Sequence, residues 1–258
     1  MSQDFLAGCF GGFVGITFSH PVDTIKTYRQ TGAFLDFKSP SILKTLYKGY
    51  TPPLCGMMLE KSILFWGFGQ VRKNTNLGIF SSGLIAGLMT TAVVTPFERV
   101  KIRAQTTGTS SAITLKNIIK LDGPLSLYRG WTATLLREVP GYGIYFTVFE
   151  YTRPVLEKTF SELDSIARLN KTPLKNEYLS VGLAGALSGI GAWTVIYPSD
   201  PIKTIAQNEN VSSVKAFQKI MTQHGVRGFY KGFTPAIIRA SVLHSGVFLG
   251  YEVFKNTF

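Results

Sequence analysis

The chain has 258 residues and a formal net charge of +12; only 16% of its residues are charged, whereas 45% are hydrophobic. An ordinary soluble domain has about 25% charged residues, so this composition indicates a membrane protein. The basic residues are not clustered in runs, which disfavours a nucleic-acid-binding protein. No P-loop, catalytic nucleophile motif, zinc-ligand spacing or C-x-x-C pair occurs, so we expect no enzyme, no metal site and no cofactor.

Three apolar segments of similar length lie at residues 5–22, 77–97 and 178–199. The second and third contain no Asp, Glu, Lys or Arg, and the first contains only His20 as a polar titrating group. Each has about 18–22 residues, enough for a helix to cross the hydrocarbon core of a bilayer. Each also carries two glycines four residues apart, a spacing that favours close contact between membrane helices. These pairs are Gly8 and Gly12, Gly83 and Gly87, and Gly185 and Gly189.

Three further apolar segments, 50–72, 131–153 and 234–255, alternate with the first three, so six membrane helices are predicted. Each of the further segments is interrupted near its middle by charge. Ionisable residues at such depth face a bundle interior or a water-filled cavity, and they are candidates for function. We therefore expect the even-numbered helices to bind a ligand and the odd-numbered helices to form a gate. The midspan charges are Glu60, Lys61, Arg137, Glu138 and Arg239.

Two motifs recur in the same register three times. The first has a proline, an acid two residues later, a base three further on and a glutamine four beyond. The second, Tyr-[Lys/Arg]-Gly, is followed 21 residues after its tyrosine by an aromatic residue and then, four residues on, by a base. We therefore predict a threefold internal repeat with units 1–75, 76–158 and 159–258, and a solvated loop over the polar residues 158–176. The proline motifs are Pro21, Asp23, Lys26 and Gln30; Pro96, Glu98, Lys101 and Gln105; and Pro198, Asp200, Lys203 and Gln207.

Each motif proline lies inside or at the end of a predicted membrane span, where it is expected to kink the helix. The acid and base beyond it are three residues apart and therefore lie close together on the helix surface. Pairing within one helix is one explanation, and it contributes a few tenths of a kcal/mol at most. With three copies related by symmetry, a ring of ion pairs between helices is favoured, since a closed ring shields every charge from lipid.

Over essentially its full length the sequence resembles the mitochondrial carrier family. That family's odd-helix signature, Pro-x-[Asp/Glu]-x-x-[Lys/Arg]-x-[Lys/Arg]-x-Gln, is complete in residues 96–105, whereas Tyr28 and Ile205 replace the second base in the other two copies. The resemblance implies an all-α membrane protein with six transmembrane helices in three pseudosymmetric repeats and short matrix helices. It also implies a monomer in the mitochondrial inner membrane that transports a small metabolite by alternating access.

The resemblance also implies two gates. In such carriers the acid of one odd helix pairs with the base of another at the matrix side. At the cytoplasmic side the implied pairs are Glu150–Lys255 and Glu252–Arg72, with Tyr251 beside them. A third pair fails because Gly69 stands where an acid would meet Arg153, so a weak cytoplasmic gate is expected. The implied matrix pairs are Asp23–Lys203, Glu98–Lys26 and Asp200–Lys101, braced by Gln30, Gln105 and Gln207.

The three Tyr-[Lys/Arg]-Gly triplets each come just before an even-numbered span. A helix that starts there presents free backbone amides, which can bind a phosphate group, and the family resemblance implies cardiolipin as the ligand. A tight turn with an interfacial aromatic and a base is the other explanation. The candidate lipid-binding residues are Lys48, Gly49, Arg129, Gly130, Lys231 and Gly232.

The midspan charges predict the chemistry of the ligand. Arg137 and Arg239 lie at the same depth on their helices, because each comes 13 residues before a motif glutamate. An arginine can bind a carboxylate through two parallel hydrogen bonds. Glu60, about one helical turn from that level, suits an ammonium or guanidinium group, and Trp193 can add a cation–π contact. Together these residues indicate a molecule with one carboxylate and two separated cationic groups.

The alternative explanation is that these charges pair with their neighbours in sequence, Glu60 with Lys61 and Arg137 with Glu138. Adjacent residues point about 100° apart on a helix and do not face each other. We therefore expect both glutamates and Arg137 to be available to a ligand.

Local sequence resembles particular carrier subgroups. Arg137-Glu138 within LLREVPGYGIYF, residues 60–65 (EKSILF) and Trp193 resemble the ornithine carriers, which implies basic amino acids as substrates. Residues 20–23 (HPVD) and 248–252 (FLGYE) also resemble the carnitine/acylcarnitine carriers, although an acyl tail would disfavour the charge of Glu60. A membrane scaffold that does not transport is a third alternative, but it would gain nothing from costly buried ions.

Overall fold

The computed structural model describes residues 3–31, 41–47, 50–107, 111–128, 131–167, 173–202, 213–230 and 232–258, and these residues form helices joined by turns and short connections. Besides two short 3-10 helices and a helical stretch at residues 199–202, six long α-helices and three short ones are found within this part of the chain, so the predicted all-α architecture is confirmed. In chain order they are α1 (Gln3–Thr31), α2 (Ile42–Leu46), α3 (Thr51–Asn74), α4 (Ile79–Thr107), α5 (Ser111–Asp122), α6 (Trp131–Ala167), α7 (Pro173–Ile196), α8 (Ser213–His224) and α9 (Phe233–Thr257).

The six long helices form a closed ring. Going round it, α1 packs on α3, α3 on α4, α4 on α6, α6 on α7, α7 on α9, and α9 again on α1. The start of α1 and the end of α9 lie at the same end of this bundle, since Tyr251 and Lys255 both contact Asp4. We call this the terminal end, and we call the opposite end, which contains Pro21, Pro96 and Pro198, the proline end.

Four of the helices are long and apolar enough to cross a membrane. These segments are Gln3–Ile25, Ile79–Phe97, Glu177–Ile196 and Val226–Thr257. The helices α3 and α6 are also long, with 24 and 37 residues, but their midspan charges make them less apolar. Large apolar side chains such as Phe18 and Leu136 are 64% and 80% exposed, as expected of a bundle whose outer face contacts lipid.

The predicted glycine pairs are the places where two helices of the same repeat touch. A Cβ atom on Gly8 would lie 2.5 Å from the Lys61 carbonyl oxygen, and one on Gly83 would lie 2.8 Å from that of Tyr142. A Cβ on Gly185 would lie 2.7 Å from the carbonyl oxygen of His244. Any side chain here would push the paired backbones apart, so the prediction of close helix contacts is confirmed.

Aromatic side chains fill the bundle toward the terminal end. Phe149 stacks on Phe248 with ring centroids 3.6 Å apart, and Phe68 stacks on Phe146 at 3.8 Å. Phe146, Phe149 and Phe248 are buried. Phe248 lies nine residues beyond Arg239 on α9, which is about 13 Å along a helix axis. The bundle is therefore closed between the depth of the midspan charges and the terminal end.

The helices α1 and α4 are continuous through Pro21 and Pro96, whereas a turn at residues 197–198 separates two helical stretches in the third motif. The kinks at Pro21 and Pro96 stay a prediction, because a kinked helix can remain continuous.

One prediction about the backbone needs correction. The solvated loop predicted over 158–176 is mostly wrong, since α6 continues to Ala167 and α7 begins at Pro173. Residues 158–167 contain no Gly or Pro and include four good helix formers, Lys158, Glu162, Leu163 and Ala167. Lys158 also pairs with Glu162 one helical turn away at 3.9 Å.

Candidate functional site

A cavity of about 230 Å³ lies in the middle of the bundle. It is lined by side chains of α3, α6, α7 and α9, which present their midspan positions to the interior. The structure therefore brings together all five residues that the sequence predicts for ligand binding, from four different helices. These are Glu60, Arg137, Glu138, Trp193 and Arg239.

Glu60 is held by two donors inside this cavity. The ammonium group of Lys61 lies 2.8 Å from Glu60 Oε1, and the hydroxyl of Tyr142 donates to the same oxygen at 2.8 Å. The side chain of Lys61 is only 3% exposed, and its Nζ lies 5.2 and 5.8 Å from the ring centroids of Tyr142 and Tyr145. The expectation that Lys61 would not pair with Glu60 is therefore wrong. The flexible lysine reaches back across the 100° offset because a buried ammonium group needs a counter-ion.

The two arginines contact acids at the proline end. Arg137 donates to Asp200 Oδ1 at 3.3 Å, and Arg239 Nε donates to Asp23 Oδ1 at 2.5 Å. Arg137 also pairs with Glu138, so the expectation that these neighbours would not face each other is wrong too. The guanidinium fork explains this, since its donors can reach acids in two directions. The cavity and two of the proline motifs are thus joined by direct ion pairs.

Most of the predicted ring at the proline end cannot be compared with the structure. Lys203 and Gln207 lie outside the described residues. The backbones of Lys26, Gln30, Glu98, Lys101 and Gln105 belong to α1 and α4, but their side chains lie outside the described part. The three pairs at this end therefore stay a prediction.

At the terminal end, the ion pairs differ from the expected ones. Arg153 makes a two-pronged contact with Glu252, at 2.7 Å to Oε1 and 3.1 Å to Oε2. Its guanidinium fork matches the carboxylate geometry, so Glu252 is occupied from α6 rather than from α3. The predicted pair Glu252–Arg72 is wrong for this conformation, since Arg72 donates to the Leu77 carbonyl at 2.8 Å.

Lys255 also has a different partner. Its ammonium group lies 3.1 Å from Asp4 Oδ1, so the predicted pair Glu150–Lys255 is wrong for this conformation. Sequence reasoning missed Asp4 altogether, although one signal was present: it is an acid in the first turn of α1, directly before the apolar segment 5–22. It also missed His244, which lines the cavity and whose Nδ1 lies 3.2 Å from the Tyr145 hydroxyl.

One of the predicted lipid-binding residues falls within the described part of the chain. Gly232 caps the start of α9 in a left-handed conformation, with φ at +84°, which a residue with a side chain rarely adopts. Lys48, Gly49, Arg129, Gly130 and Lys231 lie outside the described residues. Lipid binding at the three triplets stays a prediction.

Comparison with known proteins identifies the class. The sequence profile described as mitochondrial carrier protein matches residues 72–160 and 175–258. The chain belongs to the mitochondrial carrier family, and it is a multi-pass protein of the mitochondrial inner membrane.

Several relatives have about the same sequence identity to the chain. It is 31% identical to the mitochondrial carnitine carrier of Saccharomyces cerevisiae, over 99% of this chain and 88% of that protein. It is 30% identical to the mitochondrial arginine transporter BAC2 of Arabidopsis thaliana, over 97% and 90%. It is 32% identical to the mitochondrial ornithine transporter 1 of Mus musculus, over 98% and 93%. These relatives are transporters, and their names give three different substrates.

Proposed function

We propose that the protein exchanges basic amino acids, such as ornithine, lysine and arginine, across the mitochondrial inner membrane by alternating access. Support comes above all from one observation: Arg137, Arg239 and Glu60 line one cavity. Two guanidinium groups suit the carboxylate of an amino acid, and the glutamate suits the cation of its side chain. Glu138 and the face of Trp193 are further contacts for the α-ammonium group.

The ion pairs within the cavity fit an exchange of partners. Without a ligand, Lys61 neutralises Glu60, and Glu138 contributes to neutralising Arg137. A basic amino acid brings both kinds of charge, so its carboxylate can replace Glu138 on Arg137 while Glu138 takes its α-ammonium group. Its side-chain cation can share Glu60 with Lys61, so that no buried charge is left alone, which would carry a large penalty.

The cavity volume favours a small substrate. About 230 Å³ is below the about 300–1,000 Å³ of pockets that hold drug-sized ligands. Aromatic side chains close the bundle on the side of the terminal end. A long acyl chain therefore could not extend toward the terminal end in this conformation, whereas the cavity volume suits an amino acid.

Carnitine is the second candidate, because Tyr142, Tyr145 and Trp193 line the same cavity as the arginines. Aromatic faces are a common way to bind a quaternary ammonium group, and relatives of similar identity include carnitine carriers. A quaternary ammonium has no N–H to donate to Glu60, however, and this makes the basic amino acids the better match.

The proposal also covers the two gates, the oligomeric state and the bound lipid. The proline end is the matrix gate, and the terminal end, with Arg153 and Glu252, is the cytoplasmic gate. The carrier works as a monomer built of the three repeats, and cardiolipin binds at the Tyr-[Lys/Arg]-Gly triplets.

Reconstitution in liposomes tests the substrate. Purified protein is placed in two sets of vesicles, one loaded with ornithine and one with carnitine, and the uptake of labelled ornithine, lysine, arginine, histidine, carnitine and acylcarnitines into each set is measured. We expect exchange of ornithine, lysine and arginine with little uptake of the carnitines. Uptake of carnitine alone would replace the proposal by its alternative. No uptake of any compound by folded protein would favour a scaffold.

A further inference from the structure

An acidic side chain from the start of α1 occupies the space left by a missing acid on α3. Residue 69 is the motif position at which the other two repeats carry Glu150 and Glu252, and here it is glycine. A Cβ atom built on Gly69 would lie 2.7 Å from Oδ2 of Asp4 and 3.2 Å from its Cγ. The Asp4 carboxylate therefore sits where the side chain of an acid at position 69 would begin.

The contacts of Asp4 are those of a charged group in a gate. Its side chain is only 6% exposed, and it accepts hydrogen bonds from the Tyr251 hydroxyl at 2.8 Å and from Lys255 at 3.1 Å. Lys73 at the end of α3 lies 3.5 Å from its other oxygen. A single carboxylate thus joins α1, α3 and α9 at the terminal end.

Glu252, a second gate acid of this region, has a different partner. Glu252 holds Arg153 with both carboxylate oxygens, at 2.7 and 3.1 Å, and so joins α9 to α6. Lys255, one helical turn further along α9, contacts Asp4 instead. The two acids together link four of the six long helices at the terminal end.

We infer that Asp4 is the third acid of the gate at the terminal end, supplied from α1 in place of the acid that α3 lacks. Gly69 and Asp4 are then a matched pair, since a side chain at position 69 would displace the carboxylate. Opening of this end must break the contacts of Asp4 with Lys255 and Tyr251, and Asp4 therefore stabilises the closed conformation. This inference does not depend on which substrate the carrier takes.

The first test removes the charge of Asp4 and measures whether the terminal end opens. Spin labels are attached to cysteines at Asn76 and Thr257, two exposed positions at the terminal end, in protein whose Cys9 and Cys55 are replaced by serine. The distance distribution between the labels is measured by pulsed electron paramagnetic resonance in lipid nanodiscs, without substrate. Asp4→Asn should raise the ratio of long-distance to short-distance populations about threefold or more, because a nearly buried acid is lost.

The rescue variant separates a gate role from a merely structural one. Asp4→Ala combined with Gly69→Asp puts a carboxylate back into the same space, and we expect the parental distribution to return. Asp4→Ala with Gly69→Asn is the matched control, which has the same shape without the charge, and it should stay open.

Two results would overturn the inference. One is an unchanged distribution in Asp4→Asn. The other is that Asp4→Ala combined with Gly69→Asp stays as open as its Gly69→Asn control. That result would show that Asp4 acts by stabilising the first turn of α1 and not as an acid of the gate. A protein that fails to transport basic amino acids but passes this test would contradict only the proposed substrate.

Discussion

Lys61 and Glu60 form an ion pair of 2.8 Å inside the cavity, although they are neighbours on one helix. The lysine ammonium lies where the side-chain cation of a basic amino acid is proposed to bind. Lys61 is therefore a competitor that belongs to the protein itself. A substrate must displace it from Glu60, or share the glutamate with it, before the side-chain cation is neutralised.

The first prediction concerns this competition. Lys61→Met keeps the apolar stem and removes the ammonium, so Glu60 is left with a stronger demand for a cation. We expect the KM for ornithine, lysine and arginine to fall about tenfold, which corresponds to about 1.4 kcal/mol, while the KM for citrulline, which has no side-chain charge, changes little. Initial rates of exchange in liposomes measure this, with Lys158→Met as the control on an exposed lysine. An equal change for citrulline would contradict the competition.

A second prediction assigns the specificity to Glu60. Glu60→Gln keeps the shape and the hydrogen bond from Tyr142 but removes the charge. We expect the uptake of ornithine, lysine and arginine to fall at least about tenfold, and that of citrulline to fall much less. Competition between labelled ornithine and unlabelled citrulline gives the ratio directly. If the variant still prefers ornithine as the parent does, Glu60 does not select the cation.

The two arginines give a third prediction, for the carboxylate. Arg137→Ala or Arg239→Ala should abolish uptake of every amino acid tested, because the negative end of each substrate loses its anchor. Since alanine also leaves Glu138, Asp200 or Asp23 without an arginine, Arg137→Lys and Arg239→Lys are made in parallel. Lysine keeps the charge but lacks the fork, so the KM should rise about tenfold in protein that unfolds at the parental temperature. Normal uptake by either alanine variant would remove that arginine from the site.

The sequence was sufficient to predict where charged residues meet. The repeat register places Arg137 and Arg239 at one depth with Glu60 about one helical turn away, and the glycine pairs determine which helix faces touch. Trp193, in contrast, was assigned from the family resemblance. The sequence was not sufficient to predict the ion partners. A long side chain reaches several acids, and its choice depends on helices that are distant in sequence, as Arg239 and Asp23 show at 2.5 Å.

Asp4 illustrates a second limit of the sequence. Nothing in the motif that contains Gly69 refers to the start of α1, and the two residues meet only because α1 packs on α3. The extent of α6 is a third case. Residues 158–167 have the charged and polar side chains typical of a loop, but they contain no Gly or Pro that would end the helix.

A fourth prediction tests the contact between α6 and α9 at the terminal end. Arg153→Glu places an acid against Glu252, and Glu252→Arg places a base against Arg153, so each single change should slow exchange. The double reversal restores an opposite pair and should recover part of the lost rate, since the new acid at position 153 would still face Glu157 and Glu177. The coupling energy is calculated from the parent, the two single variants and the double variant. It should exceed about 0.3–0.5 kcal/mol, the deviation from additivity that distant, independent sites show. The same cycle on Arg72 and Glu252 is the control, and larger coupling there would mean that the pairing described here is not the one that limits transport.

The last prediction concerns the ring at the proline end, where the side chains of Lys26 and Glu98 lie outside the described residues. If the acid of α4 pairs with the base of α1, then Lys26→Glu and Glu98→Lys each leave two like charges together and should stop exchange, whereas the double reversal should recover it. Pairing within one helix would instead couple Glu98 to Lys101. Double-mutant cycles on both pairs, read from exchange rates in liposomes, distinguish the two arrangements, because residues in contact couple while distant ones add. Additive effects for Lys26 and Glu98, with coupling between Glu98 and Lys101, would rule out the ring.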